Sequence, residues 1–278
     1  MRVVVVGGMN LDLLATPFSP LIPRDSTPGR VTVRAGGVGR NIAVRLRELG
    51  ADVSLITALG RDERADMLKR LCGDVDLSLA VETDRPAPSY LCIHDHRGDM
   101  ALAVNDMSAM ECLTPEAVMP RLEKINRADG CVLDANLPAD TLLLIAQHAR
   151  VPLILDPVSC AKASRALGAL SRLTAIKPNA LEAETLTGEK NVEKAAAALL
   201  KKGVRNVFIS LGAEGVYYAN ASERGRMPAL PLPAVPATGA GDAFCAGITA
   251  GLLQGLPVGD CAALGCRAAR DALLRDLD

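Results

Sequence analysis

One stretch of the sequence combines a small-residue turn, a helix start and a carboxylate within eight positions. It reads Ala-Thr-Gly-Ala-Gly-Asp-Ala-Phe over residues 237–244, and an apolar run that predicts a helix follows it to Leu253. Small residues let the backbone turn sharply, and the free N–H groups of a helix N-terminus bind anions. The carboxylate of Asp242 would repel such an anion, so its presence there is explained if it accepts or donates a proton. An anion site beside a proton acceptor indicates phosphoryl transfer to a hydroxyl. The alternative is that Asp242 only caps the helix and the glycines serve packing.

Two pairs of polar residues could bind the other groups of such a reaction. Asn10 and Asp12 follow the β-branched run 2–6, and the carboxyl end of a parallel strand opens on to a binding crevice. An Asx turn is the alternative there. Asn179 and Glu182 share one face of a predicted helix start, and together they could organise waters around Mg²⁺. The alternative for this pair is a plain helix cap with a solvated glutamate.

Glycine-rich elements lie at two further positions. Gly-Gly-Val-Gly-Arg-Asn over residues 36–41 leads into a predicted helix at 42–49, and three glycines in four positions allow backbone to approach a ligand closely. Because no Gly-Lys-Ser/Thr follows, this element is not a phosphate P-loop. A second glycine turn, 212–215, joins two predicted strands and leaves room for an adenine or ribose. On its own, that turn also fits a simple hairpin.

The composition favours small-molecule chemistry on an α/β fold. Hydrophobic residues make up 49% of the 278 residues and aromatic residues only 2%, which is typical of buried parallel strands covered by Ala/Leu-rich helices. The net charge of −1 argues against a nucleic-acid or membrane surface. The eight cysteines form no C-x-x-C pair and are predicted to be buried free thiols. Without a membrane span or targeting signal, we expect a cytoplasmic location.

Strands and helices alternate regularly from Thr114, which predicts βα units and a mostly parallel sheet. The predicted helices are 114–125, 139–148, 161–170, 192–202, 241–253 and 258–274, and the strands are 2–6, 53–58, 130–133, 153–155, 175–176 and 206–210. Strand-like runs at 31–33, 89–93 and 100–104 stand outside this alternation. We expect them to form a small sheet that acts as a lid on the crevice. The prediction is thus one domain over 1–278, with lid segments at about 14–35 and 86–106.

Taken in order, five pieces of the chain resemble the ribokinase-like (PfkB-type) carbohydrate kinase family over nearly its whole length. The pieces are the first strand with Asn10 and Asp12, the element 36–41, Asn179-x-x-Glu182, the Gly212 turn and residues 238–242. The resemblance implies a three-layer α/β/α domain with a mostly parallel central sheet and a small β lid.

The resemblance also implies a role for each matching residue. Asp242 would accept the proton of a sugar hydroxyl, while the amides of Gly239, Ala240 and Gly241 hold the charge of the transferred phosphoryl group. Asn179 and Glu182 would position Mg²⁺, largely through water. The residues implied in ATP binding are Asn179, Lys162, Ser210, Gly212, Gly215 and Thr238. Those implied in binding the acceptor are Asn10, Asp12, Gly36, Gly37, Arg40, Asn41 and Asn136.

Within the family, the chain is most similar to pseudouridine kinases. The likeness lies in Arg40, in Ser89-Tyr90-Leu91, and in Asp156-Pro157-Val158-Ser159 followed by Lys162. It implies phosphorylation of the 5′-hydroxyl of pseudouridine, with Ser26 and Asn105 of the lid against the base. Ordinary turn chemistry is the alternative for Ser26 and Asn105, and Lys162 could contact phosphates or face solvent.

Other functions stay open from the sequence. A kinase for ribose or another nucleoside or sugar is one alternative, and a catalytically silent nucleotide- or sugar-binding protein is another. A nicotinamide-dependent oxidoreductase is disfavoured because Gly7-Gly8 lacks the G-x-G-x-x-G spacing. Pro236 and Ala237 stand where ribokinases carry an acidic residue and a threonine, which makes a monovalent-cation site doubtful. The open edges of the lid sheet predict a homodimer formed through the lid.

Overall fold

Strands and helices alternate along most of the chain in the computed structural model, which describes residues 1–231 and 239–275. In chain order the strands are β1 (Arg2–Val6), β2 (Asn10–Pro17), β3 (Gly29–Gly36), β4 (Asp52–Ile56), β5 (Ala58–Leu59), β6 (Val81–Glu82), β7 (Ser89–His94), β8 (Met100–Asp106), β9 (Gly130–Asp134), β10 (Leu153–Asp156), β11 (Ala175–Ile176), β12 (Asn206–Ser210), β13 (Val216–Asn220) and β14 (Arg224–Met227). The α-helices are α1 (Val38–Glu48), α2 (Glu63–Leu71), α3 (Pro115–Val118), α4 (Leu122–Asn126), α5 (Ala139–His148), α6 (Cys160–Ala163), α7 (Ala180–Thr187), α8 (Val192–Lys201), α9 (Ala240–Leu253) and α10 (Val258–Arg275). Short 3-10 helices occupy Ser108–Cys112, Met119–Arg121, Ser164–Arg172 and Gly212–Glu214.

The described residues form a large eight-stranded sheet in the order β14-β13-β12-β11-β10-β9-β1-β4. Neighbouring strands from β4 to β12 run parallel, whereas β13 and β14 are antiparallel additions at one edge. The four valines of β1 are at most 5% exposed, because helices cover both faces of this inner strand. The predicted mostly parallel sheet is confirmed.

Helices pack on both faces of the large sheet and give three layers. One apolar cluster joins the sheet to α3, α4, α5, α7 and α8, and a second joins it to α1, α2, α9 and α10. Phe208 of β12 and Phe244 of α9 meet edge to face, with 6.3 Å between ring centroids. That contact fixes α9, the helix that begins at the small-residue stretch, against the sheet. None of the described helices is long and apolar enough to cross a membrane.

A second, four-stranded sheet has the order β3-β2-β7-β8, and we call it the lid. β2 pairs antiparallel with β3 and parallel with β7, and β7 and β8 form an antiparallel hairpin. The predicted small sheet is therefore confirmed. Its strands lie within 10–36 and 89–106, so β2 begins before the predicted segment. Asn10 and Asp12 belong to this strand rather than to an Asx turn after β1.

Several element bounds differ from the prediction for local reasons. α1 begins at Val38 instead of at 42, because Gly37 with a φ of 98° turns the chain directly into the helix. The helix predicted over 114–125 is divided at Pro120, which lies in a 3-10 turn between α3 and α4. The helix predicted over 161–170 is 3-10 for most of its length. α2 and β14 were not predicted.

Candidate active site

Asp242 lies in the first turn of α9, as the small-residue stretch predicted. Gly239 precedes the helix with a φ of 81°, a left-handed backbone that residues with a Cβ adopt only under strain. Ala240 and Gly241 are the first two helical residues. The N–H groups of a first helical turn have no acceptor inside their own helix. The N-terminus of α9 therefore presents donors beside a carboxylate.

A residue 201 positions earlier in the chain holds the Asp242 carboxylate. Nδ2 of Asn41 donates a hydrogen bond to Oδ2 of Asp242 at 2.8 Å. Asn41 lies in the first half of α1, which packs along α9. The partner of Asp242 is thus Asn41 rather than an amide of its own helix. This contact joins a residue predicted to bind the acceptor to the predicted base.

Glycines bring α1 against the end of β1 and so place Asn41. A Cβ added to Gly39 would lie 2.7 Å from the carbonyl carbon of Gly7, and one on Gly37 would lie 2.7 Å from Cα of Met9. The N–H of Arg40 donates to the carbonyl oxygen of Gly8 at 3.0 Å. The close backbone approach predicted for these glycines is therefore made to the chain itself.

Burial raises the pKa of Asp242 to about 7, and the negative charge of Asp156 adds to the rise. The hydrogen bond from Asn41 and the positive charge of Lys177 act in the opposite direction. A general base works best when its pKa lies near the working pH. The surroundings of Asp242 therefore suit it to accept a proton from a hydroxyl.

Two more carboxylates end neighbouring strands of the large sheet. Asp134 at the end of β9 and Asp156 at the end of β10 are aligned in register. Asp134 accepts hydrogen bonds from the N–H groups of Gly8 at 2.7 Å and Asn136 at 2.9 Å, and burial raises its pKa to about 6. Oδ1 of Asp156 accepts from the N–H of Val158 at 2.8 Å. Both carboxylates thus lie at the edge where parallel strands bind ligands.

Lys177 follows β11 and faces one of these carboxylates. Its Nζ lies 2.8 Å from Oδ2 of Asp156, and both side chains are buried. The two groups form a buried ion pair at the distance of a charge-assisted hydrogen bond. The sequence analysis did not single out Lys177 or Asp134, and it named Asp156 only through the family likeness. One signal could have found them, since each charged residue ends or follows a short apolar strand.

The residues predicted to bind the acceptor lie in two groups, the first at the start of the lid. Asn10 donates a hydrogen bond from Nδ2 to Oδ1 of Asp12. A Cβ on Gly36, in the neighbouring strand, would collide with the Asp12 carboxylate. Burial raises the pKa of Asp12, while the Asn10 hydrogen bond and the charge of Arg40 oppose the rise. Asn10, Gly36 and Arg40 therefore lie around the partly buried carboxylate of Asp12.

The second group centres on Asn136, after β9. Nζ of Lys162 donates to Oδ1 of Asn136 at 2.5 Å. A Cβ on Gly8 would lie 2.6 Å from Nδ2 of Asn136, so this amide packs against the end of β1. Lys162 is half-buried and lies beside a predicted acceptor residue instead of in solvent. Its predicted contact with ATP stays a prediction.

The two predicted base contacts differ in their setting. Ser26 lies in the exposed loop between β2 and β3, and its N–H donates to Oδ1 of Asp25 at 2.7 Å, as in ordinary turn chemistry. Asn105 is a strand residue of β8 rather than a turn residue. It stands opposite Tyr90, which in turn stands opposite Asp12. Asn105 therefore shares a cross-strand row with Asp12.

Asn179 and Glu182 form a capping box at the start of α7. The N–H of Glu182 donates to Oδ1 of Asn179, and the N–H of Asn179 donates to Oε2 of Glu182, each at 2.9 Å. These are the contacts of a helix cap, but Glu182 is only 5% exposed and not solvated. Burial raises the pKa of Glu182, and the charge of Asp156 adds to the rise. A second carboxylate is thus held close to Asp156.

The remaining residues predicted to bind ATP lie near this cap or beyond the described part of the chain. Ser210 bridges to Asn179, with its N–H on the carbonyl oxygen of Pro178 at 2.9 Å. Gly212 has a φ of 61° and open space where a Cβ would point, whereas a Cβ on Gly215 would collide with the carbonyl oxygen of Met227. Packing therefore accounts for Gly215, and Gly212 leaves space beside the turn. Thr238 and the doubtful cation site at Pro236 and Ala237 lie outside the described residues.

Comparison with known proteins identifies the family. A model of the pfkB family of carbohydrate kinases matches residues 1–275. The chain belongs to this family. As a pfkB family carbohydrate kinase it is a phosphotransferase with an alcohol group as acceptor. The predicted resemblance and fold class are confirmed.

Individual relatives of this pfkB kinase cover most of its length. The pseudouridine kinase of Escherichia coli (strain K12) is 35% identical over 266 residues, which are 92% of this chain and 85% of that protein. A solved carbohydrate kinase from Agrobacterium tumefaciens matches with a TM-score of 0.86 and 30% identity, over 96% of this chain and 89% of that one. A ribokinase from Thermotoga maritima matches with a TM-score of 0.89 and 25% identity, over 98% and 93%.

The donor set fits the divalent cation that the family's chemistry implies. Asp156 and Glu182 lie within electrostatic reach of each other, and the Lys177 ammonium group interacts with both. Among the described residues, no group of three or more His, Cys, Asp or Glu side chains could hold a metal ion directly. Carboxylate oxygens and waters are the ligands that Mg²⁺ prefers. Two carboxylates facing one ammonium group leave an excess of negative charge, which suits a magnesium ion held largely through water.

Proposed function

We propose that this pfkB kinase transfers the γ-phosphoryl group of ATP to the 5′-hydroxyl of pseudouridine, with Asp242 as general base. The observation that carries the proposal is the Asn41–Asp242 contact of 2.8 Å at the N-terminus of α9, where the pKa of Asp242 is about 7. The 35% identity to a pseudouridine kinase supports the choice of acceptor.

In this proposal Asp242 accepts the proton of the attacking hydroxyl. The amides of Gly239, Ala240 and Gly241 hold the charge that develops on the transferred phosphoryl group. Phosphoryl transfer depends mainly on positioning and on such charge stabilisation. Asn41 orients the base, since it is hydrogen-bonded to the carboxylate.

The acceptor lies between the lid and the end of β1. Asn10 and Asp12 bind its sugar hydroxyls, with Gly36, Gly37 and Arg40 shaping the space around them. Asn136 borders this space from the opposite side, at the end of β1. Asn105 reaches the base from the row of lid residues that contains Asp12.

The nucleotide lies beside α7 and the Gly212 turn in this proposal. Asn179 and Glu182, with Asp156 beside them, hold Mg²⁺ largely through water. When bound, the ion neutralises phosphate charge. Ser210 and Gly212 border the adenosine, Lys162 contacts phosphate, and Thr238 completes the set from the stretch before α9.

A substrate panel tests the acceptor. We expect pseudouridine to give a higher kcat/KM than ribose, uridine or cytidine, measured by ADP release with ATP and Mg²⁺. A higher kcat/KM for ribose or uridine would remove the pseudouridine assignment and leave the kinase family standing.

The second candidate is a kinase for ribose or another nucleoside or sugar, favoured by the likeness to a ribokinase at a TM-score of 0.89. The same panel identifies it. A catalytically silent binding protein is distinguished by the absence of ADP release with every acceptor while nucleotide still binds. A cytoplasmic location remains a prediction from the sequence.

We also propose that two copies of the chain pair through the lid. Apolar side chains line the lid face opposite to Asp12 and Asn105, and three of them are more than half exposed: Val31 65%, Leu102 59% and Val104 60%. They form rows across the strands, together with Val33 and Leu91. The same apolar face of a second copy could pack against it about a two-fold axis, so that each copy covers the other.

A further inference from the structure

Lys177 is a buried cation whose surroundings need an explanation. The residue lies directly after β11 and is only 6% exposed. Lysine is rarely buried to this extent without a partner, and here Asp156 supplies one at 2.8 Å. A buried ion pair is weak evidence for stability, since apolar residues of similar size often serve as well or better. The position of the ammonium group therefore suggests a role besides folding.

The ammonium group lies against the first turn of α9. A Cβ added to Gly241 would stand 3.2 Å from Nζ of Lys177. A helix N-terminus carries partial positive charge, so a cation beside it is disfavoured unless an anion lies close to both. Asp156 lies 2.8 Å from Nζ, and Asp242 of the same helix turn also interacts with the ammonium charge. A phosphoryl group bound at the helix amides would therefore lie beside the Lys177 ammonium group.

The turn that holds Asp156 is itself strained. Val158 has a φ of 67°, which is rare for a β-branched residue. Its N–H nevertheless donates to Oδ1 of Asp156 and leaves Oδ2 facing Lys177. Strain of this kind persists where the surrounding structure enforces it, and it concentrates at functional sites. The Asp156–Lys177 pair is therefore held rigidly beside α9.

We propose that Lys177 is a further catalytic residue, whose ammonium group contacts the phosphoryl group as it passes to the acceptor. The proposal rests on the kinase activity of the family and not on the identity of the acceptor. The bond from phosphorus to the bridging oxygen of the donor breaks, and a bond from phosphorus to the acceptor oxygen forms. The hydroxyl proton goes to Asp242, and Lys177 keeps its own protons throughout.

The charge of Lys177 is maintained for this role. A lysine side chain is ordinarily protonated at neutral pH, and the Asp156 carboxylate at 2.8 Å stabilises its positive charge. The ammonium group is therefore positive over the working pH range. A fixed cation in a site shielded from water stabilises developing negative charge without having to reorganise.

A double-mutant cycle with Asp156 tests the proposal. The variants are Lys177→Met, Asp156→Asn and the two combined, assayed with the acceptor that the wild type phosphorylates fastest. Lys177→Met leaves Asp156 unpaired and is expected to lower Tm, whereas the combined variant removes both charges and recovers Tm. If Lys177 contacts the phosphoryl group, adding Lys177→Met to Asp156→Asn still lowers kcat by about 10²–10³. If the double variant has a kcat less than about tenfold below that of Asp156→Asn, Lys177 acts only through Asp156 and the proposal fails.

A binding measurement gives a second readout that a structural role would not change. Wild-type protein with acceptor should bind ADP plus aluminium fluoride, a mimic of the transferred phosphoryl group, more tightly than ADP alone. Lys177→Gln, which keeps a long polar side chain without the charge, should lose most of this tightening and keep its affinity for ADP. Equal tightening in this variant and the wild type would overturn the proposal.

Discussion

The proton affinity of Asp242 is set by residues that are remote in sequence. Burial is the largest cause of its raised pKa, and the charges of Asp156 and Asp134 add to it. Those two carboxylates end β10 and β9, while Asn41 comes from α1. A change at any of these strand ends should therefore alter the base as well as its own surroundings.

Asp242→Asn should abolish most turnover and change the pH dependence of the protein. Loss of the general base lowers kcat by about 10²–10⁴, while acceptor affinity changes little. In the wild type, kcat/KM should rise with pH and level off above an apparent pKa of about 7, because the ionised carboxylate is the active form. ADP release measured across the neutral range checks both. Retention of more than about a tenth of kcat would remove Asp242 as the base.

The thermal stability of Asp242→Asn provides a control, because the raised pKa of Asp242 fixes the direction in which Tm should change. The pKa of Asp242 rises from 3.8 to about 7 on folding, so the folded state binds the proton more tightly. Ionisation therefore destabilises the fold progressively as pH increases between these two values. Asp242→Asn should raise Tm above the neutral range and have a smaller effect in acid. A Tm lowered equally at all pH values would indicate a packing defect instead.

The sequence predicted the site residues that carry a local pattern and missed those that depend on the fold. Asp242 was found because it follows a small-residue turn at a helix start. Lys177 and Asp134 were missed because a charge at the end of a short apolar strand marks the position, but does not show whether the side chain is buried or solvated. The capping box of Asn179 and Glu182 was weighed as an alternative, but the burial of Glu182 follows from packing that the sequence alone does not show.

At the scale of elements, short turns after the strands place the candidate catalytic groups. The turn after β10 is the most constrained of those described above, because Val158 adopts a φ of 67° while its N–H holds Asp156. A non-glycine residue in such a region costs on the order of 1–3 kcal/mol. The strained turn holds Asp156 so that its Oδ2 faces Lys177.

Val158→Gly should be more stable than Val158→Ala by about 1 kcal/mol, the reverse of the usual order. Both substitutions remove the two methyl groups of the valine side chain. Glycine adopts a positive φ without strain, whereas alanine keeps the Cβ and therefore the strain. Urea unfolding of the two variants and the wild type measures the difference. An alanine variant as stable as the glycine variant would show that the backbone at this turn is not strained.

Elements were predictable where periodicity is local and were missed where pairing partners are distant. The helix at 139–148 and the strands at 175–176 and 206–210 have the predicted bounds, since each has an apolar centre and a local boundary signal. β2 was not predicted because its partners β3 and β7 lie elsewhere in the sequence. α2 carries mostly charged residues, so its apolar face is too sparse to show a helical period.

At the scale of the whole molecule, the lid presents two chemically different faces. Asp12, Tyr90 and Asn105 stand on one face, and Val31, Leu102 and Val104 on the other. An exposed apolar face of this kind marks an interaction surface. Pairing of two lids would bury the apolar face and leave the polar face turned to the acceptor.

Leu102→Lys should convert the proposed dimer into a monomer, because burying an unpaired charge within an apolar contact between two sheets is costly. Analytical ultracentrifugation at micromolar concentration measures the mass. The matched control is Leu167→Lys, which changes a similarly exposed leucine, 48% against 59%, in the 3-10 helix Ser164–Arg172. A monomeric mass for the wild type, or dissociation by the control as well, would contradict pairing through the lid.

The hydrogen bond between Asn41 and Asp242 also has a consequence for how the protein acquires its activity. It joins residues 201 positions apart, so it closes only when α9 has folded against α1. Contacts between such distant parts of a chain form slowly, because the entropy of closing the intervening loop is lost before the contact stabilises it. During synthesis, Asn41 has no partner until α9 has left the ribosome. A chain interrupted before α9 would therefore carry the proposed acceptor residues without the proposed base.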